Sequence, residues 1–270
     1  MSVLPSDYDR DPERFLSASR YPHEDVHPHV AARFAAAGAR RVLDVGGGNG
    51  RLARLLPALA VNCLLIDISP AMLALAPRPA MRADGARLPV ADASVDAVAA
   101  LYTLYHYADP RVPVREARRV LRPGGLFAAC VANSDSHPEL APLLPGWGKR
   151  STFDGEDAGA IVASVFGAPG DAVEVERWDD YQNTLSSVSH VAAFLRVLGL
   201  GTAEATARAS TLDLPMTLTM RGCFVYATKA ALPGGCRLRG GEHHPDLSAG
   251  EGHHLAGRGG ERGAAVRAGP

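Results

Sequence analysis

The sequence predicts an α/β fold in which a mostly parallel sheet carries helices on both faces. Apolar runs of strand length alternate along the chain with stretches of helical periodicity, an order typical of parallel sheets. The chain has 270 residues, of which 47% are hydrophobic and 21% charged, so it is long enough to bury a substantial core. Ligand sites in such a sheet lie at the carboxyl ends of the strands, so the loops after the strands are the places to search.

Six apolar runs predict strands, and four stretches predict helices before or between them. Gly38 is a natural end for the first helix, although Pro28 is expected to disturb its first turn. The sequence LRPGG, 121–125, is interpreted as a helix terminator. The predicted strands are 41–45, 61–66, 95–102, 126–132, 173–178 and 222–227, and the predicted helices are 22–37, 50–59, 70–75 and 112–121.

The charge balance points to a small molecule as the partner. With 28 basic and 29 acidic residues the formal net charge is -1, so no strong field attracts nucleic acid or an anionic membrane, and neither is expected as a partner. No run approaches the roughly 18 apolar residues of a membrane span, and the acidic, polar N-terminus is unlike a signal peptide. We therefore expect a cytoplasmic protein, as a monomer or a homodimer.

Neither the cysteines nor the histidines predict a metal site or a disulfide framework. Cys63, Cys130 and Cys223 lie in apolar runs, where a thiol behaves as a small hydrophobic side chain. The pattern HExxH at 23–27 fits a short zinc-protease motif, but prolines flank it and no long helix presents both histidines on one face. The segment 232–270 is rich in Gly, Arg and His, lacks aromatic residues and is predicted to be a disordered tail after a domain spanning 40–231.

A glycine cluster, VLDVGGGNGRL at 42–52, follows the first predicted strand. The dinucleotide fingerprint needs glycines at relative positions one, three and six, but the sixth position counted from Gly46 is Arg51. Glycines instead alternate at Gly46, Gly48 and Gly50, and Asp44 precedes them by two residues. A carboxylate repels a pyrophosphate and attracts a cation, so this turn favours a phosphate-free, positively charged ligand.

On this motif the sequence resembles the class I S-adenosylmethionine-dependent methyltransferases, and most of all the type 11 group that contains the quinone-biosynthesis methyltransferases. Further matches are LLIDISPAML at 64–73, the segment 81–110 and LRPGGLFAA at 121–129, in the family's order. The resemblance covers about residues 40–132. It implies a Rossmann-like, seven-stranded, mostly parallel sheet, and S-adenosyl-L-methionine as the cofactor.

The resemblance implies cofactor contacts for eight residues after the first three strands. An acid at the end of the second strand also occurs in NAD enzymes, so that residue alone does not discriminate between the two cofactors. The implied contacts are Asp44 toward the methionine ammonium, partly through the loop, Gly46, Gly48 and Gly50 for a close backbone approach, Asp67 at the ribose, Asp84 and Gly85 at the adenine, and Ile68 with no stated part of the cofactor.

Acceptor-binding residues are expected in the N-terminal segment and after the fourth and fifth strands. In the family, helices before the first strand often form a lid, which implies a lid over 1–39 with Tyr8, Phe15 and Tyr21 as its aromatic residues. Core packing explains these aromatics equally well. The segment YTLYHYADP, 102–110, supplies an aromatic rim and the first candidate for a general base. The candidate acceptor residues are Tyr21, Tyr102, Tyr105, His106 and His137, with His106 as the candidate base.

The function expected from these features is methyl transfer to an oxygen or nitrogen, less often carbon, of a small-molecule acceptor. Aromatic compounds are among the expected acceptors. Orientation alone supplies roughly 7 to 11 kcal/mol in such in-line displacements, so a dedicated base is optional. Alternatives are a cofactor-binding subunit without activity, an NAD-dependent oxidoreductase and an RNA methyltransferase. The last lacks support, since the Asn-Pro-Pro-aromatic motif is absent after the fourth strand. Acceptor specificity is expected in loops 133–150 and 178–221.

Overall fold

The computed structural model describes residues 5–18, 26–144 and 146–231. This part of the chain contains nine α-helices and seven strands. The helices are α1 (Pro5–Arg10), α2 (Pro12–Ala18), α3 (Val26–Ala36), α4 (Arg51–Leu55), α5 (Pro70–Leu75), α6 (Arg111–Val120), α7 (Ala158–Ala163), α8 (Val188–Val197) and α9 (Thr202–Ala209). The strands are β1 (Arg41–Val45), β2 (Asn62–Asp67), β3 (Ala80–Arg82), β4 (Val95–Leu101), β5 (Leu121–Ala132), β6 (Ala172–Leu185) and β7 (Met216–Thr228).

The strands form one sheet in the order β3-β2-β1-β4-β5-β7-β6. Six strands run in the same direction, and β7 runs in the opposite direction. The predicted seven-stranded, mostly parallel sheet is thereby confirmed. β1 pairs with β2 on one side and β4 on the other, so the strand order reverses beside the carboxyl end of β1. Such a reversal opens a crevice that can hold a ligand. The dinucleotide-binding order 3-2-1-4-5-6 has no antiparallel strand between its fifth and sixth strands, so this sheet differs from it.

Alternate side chains of the central strands fill two cores, one on each face of the sheet. In β4, which is buried along its whole length, Val98 packs on one face, whereas Ala97 and Ala99 pack on the other. Helix α6 covers the first face through Val114, and α3 covers the second through Phe34. Helices on both faces account for the uninterrupted apolar runs that predicted the strands.

The region 178–221, expected as a specificity loop, is largely regular structure. β6 continues to Leu185 and pairs there with the start of β7, and α8 and α9 lie between the two strands. These elements share a third apolar core in which Leu185, Val191 and Leu218 are fully buried. The expectation of a loop was wrong because the helical pattern of 188–209 was not recognised.

Several predicted boundaries also differ from the structure. Helix α3 begins at Val26 with Pro28 in its first turn, where a missing N–H costs little, and 22–25 lie outside the described residues. The predicted helix 50–59 ends at Leu55 and continues as a 3-10 turn containing Pro57. Helix α6 ends at Val120 with Leu121 as its C-cap, so LRPGG follows the helix end as predicted, and the same residues begin β5. The tail 232–270 lies outside the described residues.

Candidate active site

A cavity of about 270 Å³ lies at the carboxyl ends of β1, β2, β3 and β4. Its lining includes six of the eight residues predicted to contact the cofactor, which are Gly46, Gly48, Asp67, Ile68, Asp84 and Gly85. Among the described residues that line it, there are carboxylates but neither lysine nor arginine. This charge pattern suits a phosphate-free cofactor and disfavours the pyrophosphate of a dinucleotide.

The turn after β1 brings bare backbone to the cavity. Gly46 and Gly48 both have positive φ angles, of 67° and 55°. A Cβ on Gly46 would lie 2.2 Å from Oγ1 of Thr103, whereas a Cβ on Gly48 would meet no atom within 4 Å. Gly46 is therefore required for the close approach of the turn to the segment after β4, while Gly48 leaves open space along the cavity wall.

Asp67, the last residue of β2, is held in place by two backbone donors. The N–H of Gly48 donates to Oδ2 at 2.8 Å, and the N–H of Ser69 donates to Oδ1 at 2.8 Å. Burial raises the pKa of the carboxyl group, and these two hydrogen bonds partly oppose that shift. Each oxygen keeps a lone pair for a hydroxyl group of a ligand.

Asp84 and Gly85, after β3, form the far edge of the cavity together with Tyr107. Oδ1 of Asp84 accepts the N–H of Ala86 at 2.8 Å, and the hydroxyl of Tyr107 bonds to the same carboxylate. A Cβ on Gly85 would lie 2.6 Å from that hydroxyl, so glycine is needed there. The sequence predicted the aspartate and the glycine and included Tyr107 in the aromatic rim, but it did not predict the contact between Tyr107 and Asp84.

Asp44 does not line the cavity, and its implied part toward the methionine ammonium, partly through the loop, stays a prediction. The residue is 2% exposed, and a Cβ on Gly47 would lie 2.5 Å from its Oδ2. Oδ2 has no hydrogen-bond partner among the described residues. Burial raises the pKa of Asp44 to about 7, with a further contribution from the charge of Asp67. Asp44 therefore lies beneath the turn rather than in the ligand space.

Gly50 also lies outside the cavity lining. Its φ of 84° begins α4, and a Cβ at this position would lie 2.3 Å from Cδ of Pro77. This contact and the backbone angle are sufficient reasons for glycine at this position, and its implied approach to the cofactor stays a prediction.

The aromatic rim is split between the cavity and the packing behind it. Tyr102 and His106 line the cavity as predicted, and Tyr8 from α1 lines it as well. The hydroxyl of Tyr8 lies 3.1 Å from Nε2 of His106, and its ring stacks on Phe15 with centroids 4.0 Å apart. Tyr105 is not part of the lining. It packs behind His106, with ring centroids 4.5 Å apart, and its hydroxyl bonds to Tyr8.

Of the two remaining predicted acceptor residues, the structure describes only His137. Tyr21 is outside the described residues. His137 follows β5 and lines a second cavity, which is distinct from the first. The structure therefore separates the candidates that the sequence had grouped as one acceptor site.

Residues 43–129 match the family described as a methyltransferase domain. This segment is a methyltransferase domain, and it is similar to the class I S-adenosylmethionine-dependent methyltransferases. The matched segment contains most of β1, all of β2 to β4 and most of β5, and with the loops between them it supplies nearly all of the cavity described above. The residues present fit S-adenosylmethionine, because the cavity combines a bare glycine turn, two carboxylates suited to hydroxyl and amino groups, and no cationic partner for a phosphate.

Curated relatives of this methyltransferase domain match the chain over part of their length. An uncharacterized methyltransferase of Mycobacterium tuberculosis is 39% identical over 94 residues, which is 33% of this chain and 38% of the relative. A demethylmenaquinone methyltransferase of Corynebacterium urealyticum is 34% identical over 110 residues, which is 40% of this chain and 45% of the relative. The chain thus spans less than half the length of these relatives.

Solved structures share the fold of the methyltransferase domain over most of the chain. The YcgJ protein of Bacillus subtilis superposes with a TM-score of 0.53 at 20% identity, covering 76% of this chain and 99% of that protein. The cyclase SpnF superposes with a TM-score of 0.56 at 19% identity, covering 85% of this chain and 98% of that protein. At these identities the likeness establishes the fold alone.

The N-terminal helices attach to the methyltransferase domain through residues that the sequence did not single out. Oδ1 of Asp9 accepts the hydroxyl of Ser69 at 2.6 Å, and Asp11 pairs with Arg196 at 2.7 Å. Ser69 was detectable as the cap of α5, since Ser-Pro is a common helix start. Asp9 had no such signal, because its partner is 60 residues away along the chain.

The described residues lack two further kinds of feature. No group of three or more His, Cys, Asp or Glu side chains is placed to hold a metal ion in this part of the chain. None of the helices in the described ranges combines the length and the apolar character needed to cross a bilayer.

Proposed function

We propose that this chain transfers a methyl group from S-adenosylmethionine to an oxygen or nitrogen of a small-molecule acceptor. The observation that carries the proposal is the cavity itself, where the glycine turn, Asp67 and Asp84 face the same space as His106. The bound cofactor would supply a methyl group on a sulfonium centre. The protein's task is then to bind the cofactor, orient the acceptor and exclude water.

Asp67 and Asp84 are the proposed anchors of the cofactor. Each oxygen of Asp67 already accepts one backbone N–H, and the remaining lone pairs would take the two ribose hydroxyls. Asp84 would accept from the adenine amino group, beside the apolar side chain of Ile68, which is 48% exposed in the structure. The turn at Gly46 and Gly48 would lie against the methionine part.

Residues 1–39 are proposed to act as a lid. Asp9 ties α1 to the start of α5, and the pair Asp11–Arg196 ties the following segment to α8. Tyr8 therefore reaches the cavity from a segment that is attached to α5 through Asp9 and to α8 through Asp11. A lid in this position would exclude water from the reacting atoms and strengthen the electrostatic contacts below it.

His106 is proposed as the general base where the acceptor is a hydroxyl or an ammonium group. Its ring lines the cavity and its Nε2 faces the hydroxyl of Tyr8 at 3.1 Å. A base in this position would take the proton that the acceptor loses on methylation. An acceptor that is already nucleophilic would need no such help.

A competing function is cofactor binding without methyl transfer. This hypothesis is favoured by one specific observation, namely that the cyclase SpnF has the same fold. An RNA acceptor has no comparable support, since the net charge is -1. A small molecule as partner, a monomeric or homodimeric state and a cytoplasmic location stay predictions.

Calorimetry followed by a turnover screen tests the proposal. We expect S-adenosylhomocysteine to bind to the wild-type chain and NAD to leave it unbound. We then expect a panel of hydroxyl and amino compounds, incubated with S-adenosylmethionine, to yield at least one product heavier by one methyl group. Binding of NAD alone would overturn the cofactor assignment, whereas cofactor binding without any methylated product would favour the non-catalytic alternative.

A further inference from the structure

A further cavity, of about 650 Å³, lies beside the start of β2, between α4 and the segment that joins α5 to β3. None of the described residues that line it also lines the cofactor cavity. Its volume lies within the range of roughly 300 to 1,000 Å³ that is usual for small-molecule sites. Its described lining contains two arginines, one asparagine and three prolines, but no carboxylate.

The two arginines, Arg54 and Arg78, have no carboxylate partner among the described residues. Nη2 of Arg54 donates to the carbonyls of Leu75 and Asn49, at 2.5 and 3.4 Å. Nη1 of Arg78 donates to the carbonyl of Ala80 at 3.1 Å. A guanidinium group has five N–H donors, so most donors on each side chain remain available. Both arginines are exposed, and a ligand can therefore reach these donors.

The arginines of a groove on α6 offer a contrast, because each of them pairs with a carboxylate. Arg118 pairs with Asp171 at 3.0 Å, and Arg115 lies 3.9 Å from Asp109. In the cavity beside β2 the two positive charges are not offset in this way. The whole chain has a formal net charge of -1, so the attraction of this cavity for an anion is local. Two positive charges favour a dianion over a singly charged carboxylate.

Much of the remaining wall is apolar and rigid. Pro57, Pro77 and Pro79 line it together with Val61. Proline loses no rotamer freedom on burial, so this wall is preorganised for an apolar group. The exposed side-chain amide of Asn62 adds one further polar group. A ligand that suits both parts of the cavity has a dianionic head and an apolar ring.

We propose that this cavity binds a phosphate monoester whose organic part is a single apolar ring. The phosphate carries a charge of about -1.5 to -2 near pH 7, and its oxygens accept N–H donors from Arg54 and Arg78. The ring packs on the prolines and displaces water from them. This site is separate from the cofactor cavity, so the inference goes beyond the proposed function and does not rest on it.

Ligand-observed NMR titrations of the full chain test the inference, with phenyl phosphate as the probe. Benzoate and inorganic phosphate are matched comparisons, because benzoate has a single charge on the same ring and inorganic phosphate has no ring. We expect phenyl phosphate to bind about fivefold more tightly than either compound. Arg54→Gln and Arg78→Gln should each weaken its binding about tenfold. Arg115→Gln, in the groove on α6, is the control and should leave it unchanged.

Three results would overturn the inference. The first is no binding of phenyl phosphate at millimolar concentrations, and the second is equal affinity for benzoate. The third is an equal loss in Arg78→Gln and Arg115→Gln, which would indicate attraction to positively charged surface in general. If Arg54→Gln fails to fold, Arg78→Gln carries the test alone, because its only hydrogen bond among the described residues is to the carbonyl of Ala80.

Saturating S-adenosylhomocysteine distinguishes this cavity from the cofactor cavity. We expect phenyl phosphate to bind equally well with and without that compound, since the two cavities have no described lining residue in common. Displacement of phenyl phosphate by S-adenosylhomocysteine would place the probe in the cofactor cavity and would overturn the inference.

Discussion

The hydroxyl of Tyr8 and Nε2 of His106 lie 3.1 Å apart, although the two residues are 98 positions apart in the chain. The hydroxyl of Tyr8 also accepts a hydrogen bond from Tyr105. Burial raises the pKa of the Tyr8 hydroxyl to about 12, and the negative charge of Asp67 raises it further. The tyrosine is therefore a neutral hydroxyl at pH 7. This contact connects the N-terminal helix directly to the candidate base.

Tyr8→Phe tests whether this contact positions His106. The substitution removes the hydroxyl and keeps the ring that stacks on Phe15, so we expect kcat to fall about three- to tenfold with little change in the KM for the cofactor. The same substitution made in a His106→Ala background should have almost no further effect. A full additional loss in that background would mean that Tyr8 acts independently of the histidine.

Asp67→Asn tests the ribose assignment. The change keeps the shape of the side chain but removes one acceptor oxygen and the negative charge, so we expect affinity for S-adenosylhomocysteine to fall roughly tenfold or more. Calorimetry measures the effect directly. Asp109→Asn is a matched control, since this carboxylate pairs with Arg111 after β4 and does not line the cavity. Equal losses in both variants would remove Asp67 from the site.

The part of the site that the sequence predicted is the part encoded by short segments directly after strands. Gly46, Asp67 and Asp84 belong to this class, because parallel strands end at one edge and carry the following residues to the same place. Long-range contacts gave no local signal. Asp9 with Ser69 is one example, and Tyr8 with His106 is another.

Two of the implied cofactor residues, Asp44 and Gly50, lie outside the cavity lining for different physical reasons. Side chains alternate along a strand, and Asp44 shares its face of β1 with Val42, which packs into the core beneath α3. Asp44 lies two residues before Gly46, as the motif requires, but the spacing does not determine the direction of its carboxylate. Gly50 was assigned by its spacing alone, whereas the structure requires glycine there because of Pro77.

Gly46→Ala tests the close approach between the turn and the segment after β4. The new Cβ would lie 2.2 Å from Oγ1 of Thr103, in addition to the strain of a φ of 67°. Gly38→Ala is a matched control, because Gly38 has a φ of 71° but no atom within 4 Å of a Cβ. We expect Gly38→Ala to cost about 1 kcal/mol of unfolding free energy and Gly46→Ala about 2 kcal/mol more. Equal losses in chemical denaturation would mean that the turn can move away from Thr103.

The pKa shifts of Asp44 and His137 predict opposite pH dependences of the free energy of unfolding. The pKa of Asp44 is raised to about 7, so between pH 4 and 7 the folded state binds a proton that the unfolded state has released. Its contribution to the free energy of unfolding is therefore present at about pH 4 and is lost as the pH rises toward 7. The pKa of His137 is lowered to about 4, so the unfolded state binds the extra proton below about pH 6.5, and stability is lost as the pH falls toward 4.

The two effects oppose each other over the same pH range, so single substitutions should reveal what the wild type conceals. Asp44→Asn removes the contribution of Asp44 and keeps that of His137. The free energy of unfolding of this variant should then rise from pH 4.5 to 6.5 more steeply than that of the wild type. His137→Asn leaves the aspartate effect, and the free energy should rise less, or fall, over that range. Urea unfolding at several pH values measures both slopes. Parallel curves for the three proteins would show that neither pKa is shifted. Asp44 would then be ionised in the folded protein, and its buried Oδ2 would need a partner beyond the described residues.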